Sequence, residues 1–66
     1  MQIVINGEPR EIADDATIAL LLVSLELQPR FVAVECNEML VPRTRHANHK
    51  LNPGDRVEIV TLVGGG

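Results

Sequence analysis

Aromatic side chains are almost absent from this sequence, which has no Trp, no Tyr and a single Phe. Proteins that bind single-stranded nucleic acid stack bases on aromatic rings, so this composition argues against such a partner. The formal net charge of -3 argues in the same direction, because phosphate backbones and anionic lipids repel an acidic chain. We therefore expect neither a nucleic acid nor a membrane as partner.

Cysteine and long apolar runs are also scarce. The single cysteine, Cys36, cannot form an internal disulfide, and the first residues do not resemble a signal segment. The longest apolar stretch, residues 18–23, is far shorter than the roughly 20 residues that cross a bilayer. At 66 residues the chain has room for one domain and no walled active-site cleft. These features predict a single-domain protein of the reducing cytoplasm.

Turn signals divide the chain into short strands. Asn6-Gly7 is the dipeptide that type I′ hairpin turns prefer, and residues 52–55 read Asn-Pro-Gly-Asp, a strong tight-turn signal. The segment from Pro42 to Lys50 is polar and irregular, with at most one helical turn expected. Strands are predicted at residues 2–5, 10–12, 31–34, 39–41 and 56–62, with a turn at Asn37-Glu38.

One helix is predicted to begin near Ile18. Thr17 can accept a hydrogen bond from a first-turn amide, and Asp14 and Asp15 place negative charge where a helix N-terminus favours it. Apolar residues then recur at the helical spacing i, i+3, i+4 and i+7, and Pro29 is expected to stop the helix. This apolar stripe consists of Ile18, Leu21, Leu22 and Leu25.

In the last predicted strand, polar and apolar residues alternate at first, but the later residues on the solvent side are apolar. Val57 and Ile59 are predicted to face the core, whereas Val60 and Leu62 would present apolar groups to solvent. With Val63 they are candidates for a docking surface that continues into the tail, and Arg43 is a candidate contact at its rim. Ordinary half-buried strand residues are the alternative interpretation, and the pattern leaves both open.

The element order is hairpin, helix, strand, short strand, strand, and a single helix must cover one face of the sheet. We therefore predict an α+β protein of the ubiquitin-like β-grasp class, with a mixed sheet of four to five strands. Residues 1–63 would form this domain and residues 64–66, three consecutive glycines, a flexible tail.

Side chains that could carry chemistry are few. His46 and His49 have a spacing that could serve a metal, but no nearby set completes four ligands, so we expect exposed loop histidines and no metal site. Cys36 lies between Glu35 and Glu38, whose charges would raise the thiol pKa and leave it unreactive. Asp14 and Asp15 are interpreted as helix-start residues rather than a catalytic pair.

Four stretches of the chain together resemble the ThiS family of thiamine-biosynthesis sulfur carriers, and the resemblance extends over the whole length. Two are generic: the opening before Asn6-Gly7, and the helix start at residues 16–18 with Leu21-Leu22. The other two are more specific. They are VECNEMLVPR at residues 34–43 and DRVEIVTLVGGG at residues 55–66.

The resemblance implies a carrier rather than an enzyme, with no bound cofactor. An E1-like enzyme of the ThiF type would use ATP to adenylate the C-terminal carboxylate of Gly66. Sulfur from a protein persulfide would displace AMP from this transient acyl-AMP. The resulting thiocarboxylate would serve a ThiG-type thiazole synthase. Gly64 and Gly65 would be the residues by which partners recognise the tail.

Three alternatives remain. A carrier for molybdopterin synthase shares the β-grasp plan and a Gly-Gly end, although such carriers tend to be longer. A non-catalytic β-grasp binding module would act through its open sheet face and be indifferent to its last residue. An enzyme in its own right is the weakest alternative, because the sequence offers no nucleophile and base pair.

Overall fold

A computed structural model describes residues 1–62 of the chain. Five strands form one sheet in the order β2-β1-β5-β3-β4, in which β1 and β5 are parallel and the other neighbours antiparallel. The predicted mixed sheet is thus confirmed, with five strands. The elements are β1 Gln2–Ile5, β2 Glu8–Glu11, α1 Ile18–Ser24, β3 Val32–Cys36, β4 Met39–Val41 and β5 Arg56–Thr61, with 3-10 helices at Pro29–Phe31 and Arg43–Arg45.

Both hairpins close at the turns that the sequence predicts, and the type I′ turn predicted for Asn6-Gly7 is also found at Asn37-Glu38. Asn6 and Gly7 have φ angles of 49° and 83°, and Asn37 and Glu38 have φ angles of 52° and 70°. Positive φ at both central residues defines the type I′ turn, whose twist matches that of the flanking strands. The Asn-Pro-Gly-Asp turn is also present, with Gly54 at a φ of 83°.

The helix starts as predicted and ends earlier than predicted. The Thr17 side chain accepts a hydrogen bond from the Leu20 amide at 3.2 Å. At the other end α1 stops at Ser24, not at Pro29, because Glu26 turns into the left-handed region with a φ of 59°. The Leu27 amide then donates to the Leu22 carbonyl at 2.9 Å, which closes a Schellman-type cap.

Asp14 has a different role from the one expected of it. No acidic residue lies in the first turn of α1. Instead, the Asp14 carboxylate accepts a hydrogen bond from the Met1 ammonium at 2.7 Å. This hydrogen bond is the main reason why the pKa of Asp14 is lowered and that of the Met1 ammonium is raised. The expected helix-start role of Asp14 is therefore wrong, because its carboxylate is bound to the Met1 ammonium, and Asp15 likewise lies outside the first turn of α1.

The core lies between α1 and one face of the sheet. Ile18, Leu21 and Leu22 of the predicted stripe are buried, and Leu25 is half-buried at its end. Among residues 1–62, no helix is long and apolar enough to cross a membrane. The largest fully buried side chains are Ile3, Ile18, Leu22, Val34, Leu51 and Val57.

Candidate docking face at the end of the central strand

Strand β5 occupies the centre of the sheet, between β1 and β3. Its side chains alternate as predicted, with Val57 buried, Ile59 half-buried and Arg56 and Glu58 exposed. Val60 is 59% exposed and Leu62 is 46% exposed, so the predicted apolar groups do face solvent. Their role in docking stays a prediction.

Backbone and side-chain hydrogen bonds fix the end of β5. The Leu62 amide donates to the Phe31 carbonyl at 2.8 Å, and Val60 lies directly opposite Ala33 on β3. On the other side, the Asn6 side chain accepts from the Ile59 amide at 2.8 Å and donates to the Ile59 carbonyl at 3.1 Å. Val60 and Leu62 are therefore held in place up to the last described residue.

The face of the sheet opposite α1 is uncovered, and we call it the open face. The pairing of the strands and the pleat of the sheet decide which side chains it carries. Near its centre, Leu40, Glu35 and Glu58 lie side by side across three strands. The open face of β1, β5, β3 and β4 consists of Gln2, Val4, Ala33, Glu35, Leu40, Arg56, Glu58 and Val60.

Arg43 begins the 3-10 helix that follows β4, and its side chain is exposed. The strand register puts Val41 level with Val34, and Val34 level with Ile59. Arg43 therefore lies toward the end of the sheet at which β5 finishes, with β3 between the two strands. The other candidate residues, Val63, Gly64, Gly65 and Gly66, lie outside the described residues, as does the predicted boundary between domain and tail.

Cys36 has the raised pKa that the sequence indicates, but the causes differ. Burial comes first, since the residue is only 5% exposed, and the neighbouring Asp55 carboxylate follows, 3.7 Å from the sulfur. Together they raise the pKa of the thiol to about 11. The expected contributors Glu35 and Glu38 are not among these causes. A thiol that stays protonated at neutral pH is a poor nucleophile, which agrees with an incidental or structural role.

The expectation of two exposed loop histidines is wrong, since His46 is only 3% exposed and His49 is half-buried. Its Nε2 donates to the Val41 carbonyl at 3.0 Å, while Nδ1 has no hydrogen-bond partner among residues 1–62. The loop folds against the helix N-terminus, where the His46 and His49 carbonyls accept from the Ala19 and Ile18 amides. The polar composition of this loop gave no signal of that packing. Within the described chain, no three His, Cys, Asp or Glu side chains are grouped to hold a metal ion.

One helix packed across a mixed five-stranded sheet defines a ubiquitin-like β-grasp protein. The structure is similar to the crystal structure of a thiamine biosynthesis protein, ThiS, from Geobacter metallireducens, with a TM-score of 0.86 and 30% identity over the whole of both chains. Residues 3–66 match the model of the ThiS family. The chain therefore belongs to the ThiS family of sulfur carrier proteins.

The sequence relatives include proteins of about the length of this chain and much longer ones. The chain is 30% identical to the sulfur carrier protein ThiS of Escherichia coli K12, and the match covers the whole of both proteins. It is 44% identical over 66 residues to a thiazole synthase of Paramagnetospirillum magneticum, but it spans only 20% of that protein. It is also 39% identical to the uncharacterized protein ycf40 of Pyropia yezoensis, of which it covers 93%.

Proposed function

We propose that this chain is a cytoplasmic sulfur carrier of thiamine biosynthesis that works through the carboxylate of Gly66. The observation that carries the proposal is the family match, which runs through the end of β5 and includes the three glycines. The chain is a cosubstrate in this proposal, and the catalytic groups belong to its partners. Thiazole synthases among the relatives support the thiamine pathway over the molybdopterin pathway.

The first step is the activation of the Gly66 carboxylate by a ThiF-type, E1-like enzyme. A carboxylate oxygen attacks the α-phosphorus of ATP, pyrophosphate leaves, and an acyl-AMP forms. A free carboxylate is a poor electrophile, whereas the acyl-AMP has a good leaving group. Glycine suits this position, because no Cβ hinders the approach to the carbonyl carbon.

The second step replaces oxygen by sulfur. The terminal sulfur of a protein persulfide attacks the acyl carbon, AMP leaves, and an acyl disulfide links the carrier to the donor. A thiol then cleaves the sulfur–sulfur bond by exchange, forming a disulfide with the donor and releasing the thiocarboxylate. The thiocarboxylate is the form in which sulfur is passed to a ThiG-type thiazole synthase.

The position of β5 suits a carrier of this kind. The Leu62 amide is hydrogen-bonded to the Phe31 carbonyl just before β3, and Gly66 lies four residues further along the chain. Four extended residues reach at most about 14 Å, so the carboxylate can enter a partner only if that partner also contacts the end of the sheet. Gly64 and Gly65 have no side chains, which permits a narrow channel. We infer that the exposed Val60 and Leu62, with Val63 and Arg43, supply this contact.

The central test is sulfur transfer to the last residue. Given a ThiF-type enzyme, ATP and a persulfide donor, the chain should gain the mass of one oxygen-to-sulfur exchange, located on Gly66 by fragmentation. A variant with one Ala added after Gly66 should not gain it, because the carboxylate is displaced and a methyl group crowds the reacting carbon. Equal thiocarboxylation of the extended variant would remove the basis of the proposal. A simple binding module would bind its partner in both forms and never gain sulfur.

The docking contact has a separate test in Val60→Asp. An added charge on this exposed apolar residue should reduce the affinity for the ThiF-type enzyme about tenfold or more, while the circular dichroism spectrum stays unchanged. Val23 is 72% exposed on α1, so Val23→Asp is the matched control and should bind like the original. Unfolding of Val60→Asp, or equal loss in both variants, would contradict the assignment.

A further inference from the structure

Two carboxylates of the same charge face each other at the centre of the open face. Glu35 of β3 is the direct antiparallel partner of Glu58 of β5, and both side chains are exposed. Directly opposed residues on one face of a sheet have Cβ atoms about 4.5–5.5 Å apart. The two negative charges are therefore neighbours by virtue of the strand register, although 22 residues of sequence lie between them.

No cation of the described chain pairs with these carboxylates. Within residues 1–62, the ion pairs are those of the Met1 ammonium with Glu11 and Asp14. Arg56 shares the open face, two residues before Glu58, but forms no ion pair with it. Like charges placed directly opposite each other destabilise a sheet, so this arrangement carries a cost in the free protein.

The surroundings of the pair have the anatomy of a protein interface. Leu40 lies directly opposite Glu35 on β4 and is 66% exposed. Val60, two residues after Glu58 on the same face of β5, is 59% exposed. Apolar side chains beside two unpaired carboxylates fit a partner surface that brings a cation with apolar flanks. Arginine fits best, because its planar guanidinium has five N–H donors and can serve two carboxylates at once.

The negative charge of Glu35 and Glu58 also decides which partner could bind to this part of the open face. If a second copy of this chain packed on the Glu35–Glu58 pair by two-fold symmetry, four carboxylates would be brought together. Anionic lipid and nucleic acid would be repelled for the same reason. In two thiazole synthases, from Paramagnetospirillum magneticum and Magnetococcus marinus, a segment matching this whole chain makes up 20% of the protein. Such a segment is thus part of a thiazole synthase in these two organisms, which favours that enzyme as the occupant.

We propose that the Glu35–Glu58 pair is a docking site for an arginine side chain on the surface of a thiazole synthase. The site rests on the proposed sulfur-carrier function and adds to it a determinant of partner recognition away from the tail. Binding would replace the repulsion between the two carboxylates by a shared cation, so part of the affinity comes from relief of that repulsion.

The test measures the affinity of the full chain for a purified ThiG-type thiazole synthase by calorimetry at low and at high salt. The double variant Glu35→Gln/Glu58→Gln should bind at least tenfold more weakly at low salt and show a smaller salt dependence. Its melting temperature should be equal to or higher than that of the original. Glu8→Gln is the control, because Glu8 pairs with the core residue Ile5 and so lies on the other side of the sheet.

Each outcome decides the proposal. Single variants that weaken binding by similar amounts, with Glu8→Gln within twofold of the original, support it. Binding of the double variant within twofold of the original overturns it, as does a loss seen only with a ThiF-type enzyme. Failure of the original chain to bind thiazole synthase also overturns it, while thiocarboxylation of Gly66 could still occur. Binding as expected without any sulfur transfer would instead contradict the proposed function.

Discussion

Among residues 1–62, four residues other than glycine have backbone conformations in the left-handed region: Asn6, Glu26, Asn37 and Glu38. The two asparagines are ordinary there, since a short polar side chain tolerates this conformation. Glutamate has no such advantage. Glu26 ends α1 in the left-handed conformation, in which helices that close this way usually have glycine, so the helix is closed at a cost in backbone energy.

Glu26→Gly should therefore stabilise the protein. Relief of the left-handed strain is worth about 1–2 kcal/mol, and the extra freedom of glycine in the unfolded chain removes about 0.5–1 kcal/mol. We expect a net increase of about 0.5–1 kcal/mol in the free energy of unfolding, measured by urea denaturation. Glu26→Ala keeps the Cβ atom and should give no increase. A similar gain from both variants would mean that the glutamate side chain, and not its backbone, is unfavourable.

Cys36 should react slowly in the folded protein. A thiol with a pKa of about 11 has roughly a hundredfold less thiolate at pH 8 than one with a pKa of 9, so iodoacetamide should modify it at least a hundredfold more slowly than in urea-unfolded chain. The raised pKa also favours folding below pH 9. This contribution should be lost as the pH rises from about 9 to 11, because the unfolded thiol ionises first. Equal alkylation rates in the folded and unfolded chains would contradict the burial.

At the scale of elements, the parallel contact between β1 and β5 is unusually short. Its register comprises Val4 with Arg56 and Ile5 with Val57. The Asn6 side chain then continues the ladder by bonding both the amide and the carbonyl of Ile59. A turn residue of the first hairpin thereby acts as a further rung that fixes the central strand.

Asn6→Gly separates the two roles of this residue. Glycine keeps the positive φ that the turn requires but loses both hydrogen bonds to Ile59. We expect a loss of about 1–2 kcal/mol in unfolding free energy, and faster hydrogen exchange of the Ile59 amide in NMR spectra. Asn6→Ala should cost more, since it adds backbone strain. An unchanged Ile59 exchange rate in Asn6→Gly would show that the side chain does not support β5.

At the scale of the whole molecule, the strand closest to the tail is also the centre of the sheet. Every contact between the β1–β2 hairpin and the β3–β4 hairpin within the sheet passes through β5. The core is therefore incomplete until the last strand is present, and the glycines follow the element that completes the fold.

Truncation at two positions tests this dependence. A chain that ends at Asp55 lacks β5 and should show no cooperative thermal transition, because the two hairpins lose their common neighbour. A chain that ends at Leu62 keeps every contact described here, including the bond to Phe31, and should fold. Circular dichroism melting curves distinguish the two. A folded 1–55 chain would show that the hairpins and α1 suffice without the central strand.

The sequence by itself determined the local elements and the class of the fold. Asn6-Gly7 and Asn37-Glu38 mark turns, and the spacing of Ile18, Leu21 and Leu22 marks a helix, because each signal depends on residues a few positions apart. The alternation around Val57 also placed Val60 on the solvent side. The sequence likewise indicated the family, through residues 34–43 and the ending at residues 55–66 with its three glycines.

Only the tertiary structure decided how distant segments meet. It buried His46, although its loop is polar, and gave Cys36 the carboxylate of Asp55 as neighbour. It also set Glu35 directly against Glu58. Each of these contacts joins segments that are distant along the chain. Strand register and core packing together determine which residues meet. Local periodicity cannot predict such contacts. It indicates which side of a helix or strand is buried, but not which residues of another element pack against that side.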